Sequence, residues 1–178
     1  PMPLYIIPDR KVSLADVREG MRNHYEGTEL SMTNDPGAGA YKVPYRWRPM
    51  TFKSEGREYF NERAIATQQT GFVLIAQMRS WLPDAVGGIL WFGVDDANTA
   101  VLTPMYTSIT EVPECYRRGN GSMTEFSWTS AFWIHNWVAN MAYNRYEPMI
   151  RDIRPVQKEL EDSYVDLVKN TDAKALEL

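Results

Sequence analysis

The sequence predicts an α+β domain, and three observations lead to that prediction. An amphipathic helical segment comes first, three apolar, β-branched or aromatic runs occupy the middle, and two helical segments follow. The 178 residues, 44% of them hydrophobic and 24% charged, suit one domain with a sizeable core.

The first helix is predicted from about residue 13 to residue 26. Ser13 is a suitable N-cap, and Asp16 follows three residues later, as in a variant of the capping box. Gly27 supplies the stop signal. One apolar face is shared by Leu14, Val17, Met21 and Tyr25.

Residues 30–56 read as turns and loop. The segment 34–39 is rich in Asn, Asp, Pro and Gly, while Pro44 and Pro49 preclude a long helix. Aromatic and basic residues alternate after it. In an acidic chain we interpret them as an aromatic loop packed on the body, rather than as a platform for stacking nucleic-acid bases.

The middle of the chain predicts a sheet from residues 70–78, 88–94 and 99–106. The connector 95–98 is short and turn-like, so the last two strands should form a hairpin. The run 89–92 does not alternate with polar residues, which predicts a sheet covered on both faces.

Two helices are predicted after a loop rich in Pro, Gly and Asn. Thr129 or Ser130 can cap the first, which runs to about Glu147, and Pro148 should break it. The second is expected from about residue 152 to residue 170. A polar stripe on the first consists of Asn136, Asn140 and Asn144.

Composition excludes several classes of function. The net charge is −4 with no basic stripe, which argues against nucleic acid as a partner. No apolar run approaches the ~18 residues of a membrane span. The single cysteine precludes an internal disulfide, and the lone His24 and His135 are interpreted as structural, so we predict no metal and no cofactor.

Several uncommon strings, many with tryptophan, occur in order along nearly the whole chain. Together they resemble the second half of bacterial dipeptidases of the cysteine N-terminal-nucleophile (Ntn) type, relatives of secernin. The strings that carry the resemblance are 9–11, 24–28, 45–49, 61–63, 67–72, 77–83, 87–97, 126–133 and 137–143.

A more distant similarity joins residues 33–36, Thr-Asn-Asp-Pro, to the Thr-Asn-x-Pro element of penicillin V acylase and bile salt hydrolase. The resemblance implies a layered αββα sandwich and amide hydrolysis. It also implies a cysteine at the mature N-terminus, whose own α-amino group accepts the thiol proton.

The chain departs from that pattern at its start. Residue 1 is Pro, and the only cysteine, Cys115, lies in a loop. We therefore expect a single domain, residues 1–178, from the C-terminal portion of a longer dipeptidase, inactive alone. The expected partners are a dipeptide substrate, the missing N-terminal portion and, as an option, a second copy. The compartment, cytoplasmic or exported from a bacterium, stays open.

Four residues are candidates for the site. Asn34 would donate a hydrogen bond to the oxyanion, or it is a turn residue that bonds its own backbone. Arg63 would bind the substrate carboxylate, or it pairs with Glu62 or Glu58. Gln68 and Gln69 either face a cleft or cap a strand. The adjacent Asp95 and Asp96 are interpreted as turn residues, and Cys115 as a small buried residue.

Two other classes of function remain. One is a non-catalytic interaction domain with the same fold. The other is a carbohydrate- or aromatic-ligand-binding module, which requires several of Trp47, Trp81, Trp128 and Trp133 to be exposed on one face. If the chain is half of a sandwich, it should also expose an apolar face and self-associate or be marginally stable.

Overall fold

The computed structural model describes residues 3–45, 48–61 and 63–177, and it confirms the α+β class. The α-helices in these ranges are α1 (Leu14–Met21), α2 (Asp84–Gly87), α3 (Ala131–Asn144) and α4 (Tyr146–Leu176). The strands are β1 (Thr51–Ser54), β2 (Arg57–Phe60), β3 (Phe72–Met78), β4 (Gly88–Val94) and β5 (Thr103–Tyr106). No helix among these residues is apolar over enough of its length to cross a bilayer.

The strands form two antiparallel sheets. In the three-stranded sheet the order is β3-β4-β5, and β4 and β5 pair as the predicted hairpin. A separate ribbon pairs β1 with β2, where the sequence predicted only loop. Its two-residue turn is Glu55-Gly56, both with positive φ, which is the conformation that two-residue hairpins favour.

The core lies on one face of the three-stranded sheet. Val73, Ile89 and Trp91 point to this face and are at most 3% exposed. α1 and α4 cover it, and Val168 of α4 belongs to the same buried cluster. Burial of this face removes several large apolar side chains from water, which is the main force that holds helices on a sheet.

The opposite face of this sheet is open, so the prediction of two covered faces is wrong for the described residues. On β3, Phe72, Leu74 and Met78 are 59%, 45% and 74% exposed. Leu90 and Phe92 of β4 share their face and are half-buried. The continuous apolar run of β4 does have two apolar faces. In the described residues α1 and α4 cover one of them, whereas on the other Phe92 packs against Tyr116 and the β3 side chains stay exposed. We call these five residues the open sheet face.

α1 ends at Met21, five residues before the predicted end at residue 26. The capping box is present as predicted, with Ser13 and Asp16 bonded in both directions. The chain leaves the helix because the carbonyl groups of the next three residues accept tertiary hydrogen bonds. Their donors are the side chain of Asn98 and the backbone N–H groups of Ala66 and Met32.

The connection from β4 to β5 is longer than predicted and is buried. β5 begins at Thr103 rather than at residue 99, and residues 96–100 are buried although three of them are polar. The carbonyl groups of Asn98 and Ala100 accept hydrogen bonds from Gln157 of α4. Bonds to a distant helix therefore replace the strand ladder that the apolar pattern predicted.

The break between α3 and α4 falls at Arg145, and α4 is longer at both ends than predicted. Pro148 does not interrupt a helix, because it lies in the first turn of α4, where the missing N–H has no partner to lose. On α3, the Asn136 and Asn144 side chains donate to carbonyl groups four residues earlier.

Candidate functional site

Three segments meet where β4 ends and β3 begins. The N–H of Asp95 donates to the Gly71 carbonyl at 2.8 Å, which joins the two strand ends. The N–H of Ala66 donates to Asn23 at 3.0 Å, which attaches the segment before β3 to the segment after α1. The sheet end therefore collects loops that lie far apart in the sequence.

A buried polar cluster occupies the interior of this region. His24, Asp96 and Asn98 are 0%, 1% and 0% exposed, and Tyr143 and Tyr146 from the α3–α4 junction are 5% exposed. The Tyr143 hydroxyl lies 3.2 Å from His24 Nε2 and 3.1 Å from Asp96 Oδ1. The Tyr146 hydroxyl donates to Asn98 Oδ1 at 2.9 Å. We call these five residues the histidine cluster.

Burial sets the electrostatics of Asp96. Loss of solvation raises the pKa of its carboxyl group, and hydrogen bonds from Thr99 and Tyr143, together with the nearby His24 ring, oppose that effect. Thr99 donates its backbone N–H and its hydroxyl to Oδ2, at 3.0 and 2.9 Å. Burial and then the charge of Asp96 raise the pKa of Tyr143, so its hydroxyl stays protonated and acts as a donor.

Glu26 connects the histidine cluster to the surface. Its carboxylate is partly exposed and accepts from the backbone N–H of His24 at 2.6 Å, while Nδ1 of His24 lies 3.2 Å away. Burial alone would raise the pKa of Glu26, but the hydrogen bonds from His24 and the backbone outweigh it and lower the pKa. A carboxylate is therefore held beside a histidine that solvent does not reach.

The histidine cluster has the residue types of a proton relay, but its burial favours a positioning role. A substrate cannot contact side chains that are about 1% exposed or less, such as His24, Asp96 and Asn98. The cluster instead joins the turn after α1, the loop after β4 and the α3–α4 junction. Its effect is to hold the sheet end and its loops in one arrangement.

The predicted site residues lie near this region, and most are exposed. Asn34 is the last residue of a 3-10 helix, Met32–Asn34, which is tied to His24 by the bond from the Met32 N–H to the His24 carbonyl. Arg63 is exposed, and its carbonyl accepts from the Tyr25 hydroxyl at 2.6 Å. Both segments therefore contact the turn after α1.

Gln68 and Gln69 form the turn before β3, which the bond from the Thr70 N–H to the Thr67 carbonyl closes at 3.0 Å. Gln68 is half-buried and Gln69 is exposed. Among the described residues, no hydrogen bond joins any two of Asn34, Arg63, Gln68 and Gln69. Arg63 makes no ion pair with Glu58, and its alternative partner Glu62 lies outside the described residues. Their roles stay predictions.

Cys115 has the surroundings of an unreactive thiol. It is half-buried in a 3-10 helix, Glu114–Tyr116, and burial followed by the charge of Glu114 raises the pKa of its thiol. It lines a cleft of about 420 Å³ beside the end of β4, with Phe92, Arg118 and Trp133 also in the wall. No histidine lines this cleft, so no imidazole base activates the thiol there.

His135 and the carboxylates suggest no metal centre. His135 Nδ1 donates to the Val94 carbonyl at 3.1 Å, and burial lowers the pKa of its ring. In the part of the chain that the structure describes, no group of three His, Cys, Asp or Glu side chains is placed to hold a metal ion.

Sequence reasoning missed the histidine cluster because the hydrogen bonds between its members join residues that are 47 to 122 positions apart. His24 was interpreted as a structural residue, and the cluster agrees with that interpretation. Asp96 was interpreted as a turn residue like Asp95. Asp95 does adopt a positive φ of 69°, typical of a turn, but Asp96 is a buried acceptor. The one available signal was the pair of tyrosines three residues apart at the end of an apolar helix.

Comparison with known proteins gives a family. The family model described as peptidase family C69 matches residues 1–159. A probable dipeptidase of Latilactobacillus sakei is 27% identical over 145 residues, which are 82% of this chain and 26% of that protein. A probable dipeptidase B of Lactococcus lactis is 28% identical over 155 residues, 86% of this chain and 28% of that protein.

Dipeptidase A of Lactobacillus helveticus is similar as well, at 23% identity over 164 residues, 91% of this chain and 28% of that protein. The chain therefore spans about a quarter of the length of the curated relatives that it matches.

Proposed function

Because the chain belongs to peptidase family C69, we propose that it forms part of a dipeptidase, which hydrolyses the peptide bond of short peptides. The observation that supports this most directly is the family match over residues 1–159. The three relatives, each called a dipeptidase or probable dipeptidase, support the same substrate class.

The nucleophile is proposed to be a cysteine at the N-terminus of the mature enzyme, in a part of the polypeptide outside these 178 residues. The raised thiol pKa of Cys115 argues against that residue, because the thiolate is the reactive form. The length of the relatives also leaves room for such a segment. On this proposal the isolated chain does not hydrolyse peptides.

The proposed reaction has two steps. The α-amino group of the cysteine accepts the thiol proton, and the sulfur attacks the peptide carbonyl carbon. The C–N bond breaks, the leaving amine takes the proton, and a thioester remains. Water then attacks the thioester: its oxygen bonds to the acyl carbon and the C–S bond breaks. This releases the first amino acid, and a proton from the water goes to the sulfur. Both steps pass through an oxyanion that hydrogen-bond donors stabilise.

Within this chain, Asn34 is proposed to donate its side-chain amide to that oxyanion. Its side chain is exposed and makes no hydrogen bond with a described residue, so it is free to donate. Arg63 is proposed to bind the C-terminal carboxylate of the dipeptide, since its guanidinium is exposed and forms no ion pair with a described residue. Gln68 and Gln69 would contact the substrate backbone from the turn before β3.

The open sheet face is proposed to receive a second sheet from the rest of the polypeptide, which would complete a layered αββα sandwich. Phe72 and Met78 are more than half exposed on this face. Apolar side chains of this size usually lie against another layer of structure.

The test is a dipeptide hydrolysis assay on the full polypeptide that contains this chain and on the 178-residue chain alone. We expect release of amino acids by the full polypeptide only, and loss of that activity on alkylation of its N-terminal cysteine. Hydrolysis by the isolated chain, or activity that persists in the full polypeptide after its N-terminal cysteine is replaced by alanine, would overturn the mechanism.

One observation favours the alternative of a ligand-binding domain. Phe126, Trp128 and Trp137 pack against one another and are 40%, 66% and 51% exposed. Trp133 contacts Phe126, whereas Trp81 is exposed without a ring contact to this group among the described residues, and Trp47 is outside them. Binding of an oligosaccharide to the isolated chain, lost in Trp128→Ala, would favour this alternative.

A further inference from the structure

The cleft between α1 and α4 lies outside the histidine cluster and has a volume of about 430 Å³. Basic side chains line it: Arg18 from α1, Arg22 just after the end of α1, and Arg154 and Lys158 from α4. A cleft of this size accommodates a small molecule rather than a macromolecule. The proposed dipeptidase reaction uses none of these residues.

The buried charges in this cleft do not balance. Arg18, Arg22 and Glu161 are 6%, 4% and 3% exposed, so two guanidinium groups share one carboxylate in the protein interior. Arg18 Nη1 lies 3.2 Å from Glu161 Oε2, and Arg22 contacts the other oxygen. That second oxygen also accepts the N–H of Leu102 at 2.9 Å. One positive charge is therefore buried without a buried counter-charge.

The guanidinium of Arg18 is short of acceptors. It can donate five hydrogen bonds, and with the described residues it forms one, to Glu161. Among the described residues, its Nε, like the Nε of Arg22 and of Arg79, is buried without a partner, and its Nη2 forms no hydrogen bond. The centre of the guanidinium lies over the Trp91 ring, 4.9 Å from the ring centroid. Native structures seldom leave buried donors unpaired unless a ligand, ion or water completes them.

Arg154 adds a second cation without a carboxylate. It donates to the Asn98 carbonyl at 3.0 Å and to Gln157 at 2.7 Å, and it forms no ion pair with a described residue. The other charges at the cleft are paired: Glu19 with Arg22, and Lys158 with Asp162. The four cations therefore face three carboxylates, of which Glu19 and Asp162 are mostly exposed and screened by solvent.

We propose that this cleft binds a small oxyanion, a carboxylate or phosphate group, which contacts Arg18 and Arg154. An oxyanion supplies two or more acceptor atoms, which suits the donors that Arg18 leaves without a described partner and the Arg154 guanidinium that lines the same cleft. It also supplies a negative charge to balance Arg18, Arg22 and Glu161, which together carry one excess positive charge. The lining of the cleft includes none of Asn34, Arg63, Gln68 and Gln69, the residues proposed to contact the peptide.

The proposal is tested on the ¹⁵N-labelled chain by following the Nε–H resonances of Arg18 and Arg22. Sodium acetate or sodium phosphate is titrated at constant ionic strength, with sodium chloride as the balancing salt. We expect saturable shifts of these resonances with at least one of the two oxyanions. Saturation by acetate alone identifies a carboxylate site, and saturation by phosphate alone identifies a phosphate site.

Arg154→Gln is the diagnostic variant, because this partly exposed residue can change without removing a buried ion pair. We expect its oxyanion affinity to fall by at least about tenfold, as for loss of a charge-assisted hydrogen bond. The exposed neighbour Arg151, one turn earlier on α4, gives the control Arg151→Gln, which should bind like the parent chain. Shifts that are linear in concentration, equal with chloride, or unchanged in Arg154→Gln would overturn the proposal and leave a structural ion cluster.

Discussion

At the residue scale, the Tyr143 hydroxyl joins His24 and Asp96, which form no direct hydrogen bond with each other among the described residues. We expect Tyr143→Phe to lower the free energy of unfolding by about 1–3 kcal/mol, the usual cost of leaving a buried polar group without its partner. Denaturant unfolding measures the change. Tyr164→Phe is the matched control, because Tyr164 packs on the core and its hydroxyl bonds no described residue. Equal effects of the two variants would contradict a role for the hydroxyl.

Two aspartates should give opposite dependences of stability on pH. Burial raises the pKa of Asp96 in the folded state. The stability that protonated Asp96 contributes is therefore fully present below the pKa that Asp96 has in the unfolded state, and it is lost as pH rises. Hydrogen bonds from Arg10 and Ser13 lower the pKa of Asp16, so its contribution is present above its unfolded pKa and is lost as pH falls.

The two contributions are separated by comparing Asp96→Asn and Asp16→Asn with the parent chain by denaturant unfolding at several pH values. Relative to the parent, Asp96→Asn should gain stability as pH rises from about 4, near the unfolded pKa of an aspartate. Asp16→Asn should change in the reverse sense, losing relative stability as pH rises. Slopes of the same sign would show that one of the two shifts is assigned wrongly.

Asn34 is the residue at which the proposed mechanism is most directly tested. In the full polypeptide we expect Asn34→Ala to lower kcat by about 100- to 1,000-fold, as for loss of one oxyanion donor. The value of KM should change little, since the donor acts on charge that develops in the transition state. Asn140→Ala on the exposed face of α3 is the control and should keep full activity. A turn role for Asn34 predicts a loss of stability with kcat preserved.

At the scale of elements, the sequence predicted which elements exist better than where they end. Amphipathic periodicity located α1, α3 and α4, and apolar runs located β3, β4 and β5. The ends were missed where tertiary hydrogen bonds decide them, as at Asn23 and at Ala100. The β1–β2 ribbon was missed because the residues of both strands are exposed, so no buried apolar face marks them in the sequence.

For the candidate site too, the sequence indicated which segments contribute but not which side chains contact one another. The resemblance to family motifs indicated Asn34 and Arg63 as candidates, and both lie on segments that are hydrogen-bonded to the turn after α1. The histidine cluster could not be predicted, because no local pattern encodes a contact between residues 24 and 143. Such contacts depend on how α3 and α4 pack, which a single sequence does not specify.

The long helix α4 is held to the sheet by a buried ion pair near its C-terminal end. Arg79 is 7% exposed, and its Nη2 lies 3.1 Å from Asp172, which also accepts from the Tyr106 hydroxyl at 2.7 Å. We expect Asp172→Asn to cost about 3 kcal/mol of unfolding free energy, because it leaves a buried guanidinium without its counter-charge.

Asp162→Asn on the same helix is the control for that prediction. Its partner Lys158 and its own side chain are mostly exposed, so the change should cost less than about 0.5 kcal/mol. Thermal or denaturant unfolding of both variants measures the difference. If both cost the same, burial of the Arg79 pair does not stabilise the docking of α4.

At the scale of the whole molecule, apolar surface is distributed unevenly. One face of the three-stranded sheet is packed under α1 and α4, whereas the open sheet face exposes Phe72, Leu74 and Met78 to solvent. A β-sheet with a solvated apolar face favours association, either with the rest of its own polypeptide or with a second copy. The net charge of −4 is modest for a chain of this size and opposes such association only weakly.

We therefore expect the 178-residue chain to self-associate, with an apparent mass by light scattering that rises with concentration. The double variant Leu74→Lys, Met78→Lys should shift it toward the monomer, because charges on this face must lose hydration when the face is covered. Ile65→Lys, Leu176→Lys is the matched control, since both residues are more than half exposed and lie outside the strands. Circular dichroism establishes that each variant is folded. A parent chain that is monomeric at all concentrations would mean that the open sheet face tolerates water, and the proposed second sheet would then lose its main physical support.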